Sequence, residues 1–252
     1  MSWRISPSSG RLNFAPATNA WLAAVEAADG QLLENGVYNA MGAFGDYRIP
    51  LGGACCLMAG ARTLAGALVP MVGAAPTEVN FVSEDYDRTT GLKGDGIGKY
   101  LDSNRNNNVD PRDSNHNALY ITFFSGGTQV YMGADSPTNS AGTNNIGRTY
   151  NLFFRNRSTG TAYATPPSLP SLVGTSRAAS GSYIYRAGGM SQPYANTSQI
   201  PFNGSITIFA SGGTGFRSSS RISFYSIGPS VDLDAMDTAI TTCMNALAAA
   251  GI

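Results

Sequence analysis

Apolar and polar positions alternate in three different ways along this chain. Up to about Ala75 the apolar residues come with Ala, Leu and Gly. There "ATNAWLAAVEAADG" spaces Trp21, Leu22 and Val25 as one helical stripe. Thr18 or Asn19 is placed to cap that helix, and Gly30 follows as a stop signal. A second helix is expected around Leu32–Met41. From about Pro76 to Pro229 short apolar runs are separated by Gly, Ser, Thr and Asn. Strands are predicted over residues 117–125, 128–134, 149–157, 181–188, 204–212 and 220–228. In "SITIFA" and "RISFYSI" apolar and polar residues alternate with period two, as on a half-buried antiparallel strand. From Ser230 onward, Leu233, Met236, Ile240, Met244 and Leu247 recur at three- and four-residue intervals. That predicts a C-terminal helix, with Ser230 or Asp232 as its cap.

These elements imply a mainly β chain. The expected fold is an antiparallel jelly-roll β-sandwich with a short helical N-terminal part and a C-terminal helix. The expected divisions are 1–75 as a helical, Ala/Gly-rich docking region, 76–229 as the sandwich, and 230–252 as a helix on the sandwich or on a neighbouring subunit. The most membrane-like run, Ala54–Ala75, carries Arg62 near its middle, several Gly and Pro70. It reads as a buried, small-residue-packed segment rather than a span.

Candidate chemistry is sparse. In "YLDSNRNNNVDPRDSNH", Asp102, Asn104, Asn106, Asn108, Asp110 and Asp113 have the spacing of calcium-loop positions 1, 3, 5, 7, 9 and 12. Position 6, however, is Asn107 where Gly is usual, and Pro111 prevents an exiting helix from starting on time. The alternative is a loop whose Asx side chains brace its own backbone, and that reading is favoured. His116 is the only histidine and sits near no nucleophile elbow, so it reads as structural. "SEDYD" groups Glu84, Asp85 and Asp87 but lacks the Glu-x-Asp-x-x-Glu strand of jelly-roll glucanases. Aromatic residues at 120, 123, 124, 131, 150, 153, 154, 183 and 185 could stack on sugar rings. Strand alternation lets only about half of them face outward.

Composition narrows the functional classes. Charged residues are 13% of the chain, the formal net charge is zero, and Lys93 and Lys99 are the only lysines. No basic excess points to nucleic acid or to an anionic membrane. Three cysteines, two of them adjacent, do not make a disulfide framework, so folding in a reducing cytoplasm is expected. The N-terminus "MSWRISPSSGRLNF" lacks a signal-peptide pattern.

Two stretches carry a family resemblance. "ARTLAGALVPMVGAAPTEVNFV" followed by "YDRTTGLKGDGIGKYLDSNRNNNVD", and the ending "SRISFYSIGPSVDLDAMDTAITTCMNALAAAGI", resemble phage and prophage virion proteins. That group has a concanavalin A-like, laminin-G-like jelly roll and no catalytic signature. The resemblance implies a non-enzymatic virion structural protein of the tail or adsorption apparatus, with host-glycan binding on exposed loops. A capsid decoration protein is the alternative, and a glycan hydrolase is a third reading. The implied partners are other virion proteins, further copies of the chain in a homo-oligomer such as a trimer, and host surface glycan. The implied location is the virion, after synthesis in the host bacterial cytoplasm. No cofactor is expected beyond the calcium candidate.

Overall fold

The computed structural model describes residues 10–134, 142–212 and 216–252. The first nine residues, on which the signal-peptide reading draws, lie outside the described set. The N-terminal part holds helices α1 (Pro16–Asp29), α2 (Asn35–Arg48) and a short α3 (Leu64–Ala67). Strand β1 (Ala54–Leu57) lies between α2 and α3. Fourteen further strands follow: β2 (Thr77–Val79), β3 (Tyr86–Asp87), β4 (Gly91–Lys93), β5 (Tyr100–Asn106), β6 (Asn115–Phe123), β7 (Gln129–Ala134), β8 (Asn144–Arg148), β9 (Leu152–Asn156), β10 (Ala162–Ala164), β11 (Ser171–Ala179), β12 (Ser182–Ala187), β13 (Met190–Ala195), β14 (Ser205–Ile208) and β15 (Arg221–Gly228). Helix α4 (Leu233–Ala249) closes the chain.

The strands make two antiparallel sheets. One runs β13-β12-β11-β6-β15-β4-β3, with β1 also paired to β15; the other runs β10-β9-β8-β7-β14-β5-β2. Leu119, Ile121, Val173, Tyr225 and Ile227 meet Tyr131, Ile146, Phe154 and Ile208 between the sheets. The jelly-roll sandwich expected from the strand pattern is therefore present.

The larger sheet is buried on its second face as well. Ala118, Tyr120, Leu172 and Phe224 pack there against Trp21, Leu22, Val37, Met41, Phe44, Met236, Ile240 and Leu247. Hence β15 is buried from Ile222 to Gly228, not half-buried as its alternation predicts. The alternate polar positions face the helices instead of water and find partners there. Ser226 Oγ accepts from Arg48 Nε at 3.0 Å and donates to His116 Nε2 at 2.6 Å. The apolar residues of the Ala54–Ala75 run are also used internally: Ala54–Ala59, Ala61, Ala67 and Met71 are buried. Among the described residues no helix is long and apolar enough to cross a membrane.

The helix ends differ from the sequence expectation for packing reasons. Helix α1 begins at Pro16, whose fixed φ suits a first helical position. Thr18 makes no cap because it is buried against α2, where a Cβ on Gly45 would lie 2.6 Å from its methyl group. Helix α2 extends to Arg48, past Gly42 and Gly45, which resemble breakers. They are points of close approach instead, since a Cβ on Gly42 would overlap the Phe14 ring at 2.1 Å. Helix α4 matches its predicted stripe, and Asp232 is its cap, accepting from the Asp234 and Ala235 amides at 2.8 and 3.1 Å. Arg186 on β12 ties α4 to the sheet through Asp234 and Asp237.

Candidate functional site

The residues of the calcium-like spacing do not lie on a loop between helices. Asp102, Asn104 and Asn106 belong to strand β5. Asp102 accepts from the Asn104 amide at 2.8 Å and from Ser205 Oγ. Asn104, at φ 54°, donates to the Ala75 carbonyl at 2.8 Å and to Thr77 Oγ1 at 3.0 Å. Asn106 donates to Asn203 at 3.3 Å. Asn108 is exposed, and Asp113 lies 3.6 Å from Arg112. Asp110 takes a two-pronged bond from Arg105, at 3.0 and 2.6 Å.

The centre of this segment is the residue that breaks the calcium pattern. Asn107 is buried and accepts through Oδ1 from Asn144 at 2.7 Å and from Arg157 Nε at 3.2 Å. Its side-chain Nδ2 donates to the Gly142 carbonyl at 2.9 Å. Arg157, also buried, donates to the carbonyls of Asp110 (3.0 Å), Pro111 (2.6 Å) and Asn107. Burial pushes its guanidinium down to about 10, which leaves it charged at neutral pH. The segment is thus pinned to the sandwich by one arginine. Among the described residues no three His, Cys, Asp or Glu side chains are grouped to hold a metal ion.

His116 lies on β6 beneath the helices. The Pro229 carbonyl can only accept, so Nδ1 donates to it at 2.5 Å, and Nε2 takes the Ser226 hydroxyl proton at 2.6 Å. Burial, then the nearby Arg48 charge, push the imidazole down to about 3. The serine and histidine are in contact as in a nucleophilic pair, but both are fully buried, out of reach of any substrate. Asp85 is ion-paired with Lys99 at 2.5 Å, and Glu84 points to solvent. Asp87 accepts from the Thr89 amide at 3.0 Å, and from the Thr90 amide and hydroxyl at 2.8 Å each. Against the upward push of partial burial, the bonds from Thr90 and Thr89 hold its carboxyl below the usual range.

Most of the aromatic set is interior, with Phe124 and Tyr185 packed against the inter-sheet core. Tyr120, Tyr131, Phe154 and Tyr183 are core, while Phe123 and Tyr150 are exposed. Phe153 takes a different place. On β9 it alternates with the core residues Leu152 and Phe154 and so faces away from the sandwich. Its cross-strand partner is Tyr163 on β10, which is 61% exposed. With Val130, Asn145, Thr149, Arg155, Thr161 and Phe216, the pair lines a depression of about 230 Å³ on the outer face of the seven-stranded sheet. Gly147 makes the floor possible: a Cβ there would meet Phe153 Cζ at 2.4 Å. The Arg155 guanidinium is held over the rim by Thr161 Oγ1 at 3.2 Å and Thr143 Oγ1 at 3.5 Å. Asn145 accepts from Ser211 Oγ at 2.9 Å. Aromatic walls with a few fixed polar groups are the ordinary make-up of a small-ligand site. Sequence reading identified Phe153 but missed Tyr163, Arg155, Asn145 and Phe216. The available signal was the aromatic in "AYA", a run too short to read as a strand, and the phenylalanine in the Gly/Ser-rich stretch after β14.

No family model matches the chain, and no curated protein matches it. Solved structures do share its fold. The binding domain of botulinum neurotoxin serotype D superposes with a TM-score of 0.50 at 13% identity, over 75% of this chain and 50% of that one. Domains LG4-5 of the mouse laminin alpha1 chain give 0.41 at 14% identity, over 64% and 44%. The CBM40 of the Ruminococcus gnavus IT-sialidase, solved with α2,3 sialyllactose, gives 0.40 at 16% identity, over 59% and 96%. The match to the neurotoxin domain spans only half of that domain's length. At these identities the likeness is one of fold: two antiparallel sheets in a lectin-like jelly-roll sandwich, here with a helical layer on one face.

Proposed function

We propose that the protein is a non-enzymatic saccharide-binding component of a bacteriophage particle, in the tail or adsorption apparatus. The observation that carries the binding half is the depression on the open face of the seven-stranded sheet. Phe153, Tyr163 and Phe216 offer ring faces to the C–H surface of a pyranose, and Arg155 and Asn145 are set to bond its hydroxyls. The opposite sheet carries the chain's own helices over Ala118, Tyr120, Leu172 and Phe224, which leaves the depression's face the more open of the two. The virion half rests on the resemblance of residues 61–110 and 221–252 to phage structural proteins. On this reading the chain assembles as a symmetric homo-oligomer, a trimer in the simplest case, beside other virion proteins. Oligomerisation would multiply a weak sugar contact by avidity.

A glycan array probed with the purified full-length chain tests the binding half. Phe153→Ala and Tyr163→Ala should each weaken retained binding about tenfold, the loss of roughly 1–3 kcal/mol of ring stacking. If no sugar is retained, or if the variants bind as the parent does, the depression is not a saccharide site. Counting copies in purified particles tests the location. Hundreds per particle would contradict a tail position and favour capsid decoration.

A further inference from the structure

A second pocket lies on the other sheet, at the corner where β4, β15 and β6 meet. Lys93 on β4 and Phe123 on β6 both pair with Arg221 on β15, from its two sides. With Thr90 and Thr122 they line a cavity of about 260 Å³. Its charge is positive. Among the described residues neither Lys93 nor Arg221 has a salt bridge, whereas Lys99 and Arg105 each have one. Arg221 is fixed by backbone acceptors instead, donating through Nη1 to the Gly91 carbonyl at 2.6 Å and the Asp85 carbonyl at 3.4 Å. That contact orients the guanidinium without neutralising it. Asp87 is close enough for Arg221 to lower its carboxyl, but that carboxylate caps its own turn through Thr89 and Thr90. Thr122 Oγ1 donates to the Thr90 carbonyl at 2.6 Å, which holds the two threonines side by side at the cavity wall. The Phe123 ring, 51% exposed, stands beside the cations.

From this arrangement we infer that the β4–β15–β6 corner binds an acidic saccharide: the Lys93 and Arg221 cations take its sulfate or carboxylate, and Phe123 supports the sugar ring. A guanidinium and an ammonium converging on one cavity favour an oxyanion. An aromatic face beside them favours an anion carried on a ring over a bare ion. The volume, below the roughly 300 Å³ at which drug-sized sites begin, suits a single sugar unit. The site is separate from the Phe153 depression, which lies on the other sheet, so either can fail alone.

The test is an NMR titration of the full-length chain with 6-sulfated N-acetylglucosamine, a glucuronic-acid disaccharide, uncharged N-acetylglucosamine and inorganic sulfate. The sulfated or glucuronic sugar is expected to bind at least tenfold tighter than the uncharged one. Lys93→Glu should abolish that preference, and Arg221→Gln should reduce it. Lys93 is exposed, so its variant keeps the fold even if the Arg221 variant does not. Phe153→Ala should leave this binding unchanged, which separates it from the saccharide site proposed above. The proposal is overturned if acidic and uncharged sugars bind alike, if none binds, if Lys93→Glu binds as the parent does, or if inorganic sulfate matches the sulfated sugar.

Discussion

Acidification should destabilise this protein in part through its single histidine. His116 is fully buried, and burial together with Arg48 lowers it from 6.5 to about 3. The unfolded chain therefore binds a proton that the folded chain refuses, between pH 6.5 and about 3. A depressed histidine contributes stability that is fully present above its unfolded pKa and is lost as pH falls. Relative to pH 7, the loss is about 2 kcal/mol at pH 5 and about 3 kcal/mol at pH 4. Carboxylates titrate over the same range, so the parent alone does not isolate the effect. His116→Gln does: a glutamine can donate to the Pro229 carbonyl and accept from Ser226, but it does not titrate. Urea unfolding of both proteins at pH 7, 5 and 4 should show the parent's advantage over the variant shrinking by those amounts. With one histidine in the chain, its ring Hε1 signal can be followed directly by NMR without assignment. Parallel pH profiles for the two proteins, or a native Hε1 resonance that titrates near 6.5, would refute the reasoning.

Three further outcomes are expected. Arg157→Ala strands the carbonyls of buried Asn107 and Asp110 and frees that of Pro111, and should cost about 3 kcal/mol or more in urea unfolding; calcium or a chelator should leave the parent's Tm unchanged, because the protein itself braces this segment. Burial raises all three thiols, Cys55 to about 11 and Cys243 to about 12. An aromatic disulfide reagent should therefore find no reactive thiol in the native chain at pH 8 and three after denaturation. Arg186→Gln leaves Asp237 facing the sheet without its cation and should lower stability by about 2 kcal/mol, with faster amide exchange in α4 than elsewhere.

Local pattern carried a large part of this fold. The 3.6-residue stripe of α4 became its buried face, and the period-two runs became strands in the places they predicted. The sandwich class followed from counting those runs. Pattern failed wherever a neighbour distant in sequence changed the meaning of a residue. Gly42 and Gly45 are helix breakers locally, but Phe14 and Thr18 convert them to contact points within α2. "YLDSNRN" looks like a polar loop, but it is a strand because β2 and β14 supply its partners. The serines of β15 look solvent-facing until the helical layer covers them. Asn107 looks like the flaw in a calcium loop until Arg157, fifty residues on, makes it the anchor.

The same division holds for the candidate sites. The sequence alone predicted six of the fifteen described strands, the stripes of α1 and α4 and the absence of a basic excess, and it capped at about half the share of strand aromatics that could face outward. Only the tertiary structure decided which few do, because the outward direction depends on which face the helices cover. It also placed Tyr163 opposite Phe153 and Lys93 beside Arg221, pairs made by sheet register across 10 and 128 residues of chain. Hydrophobic periodicity is a property of neighbours in sequence, and a binding surface is a property of neighbours in space.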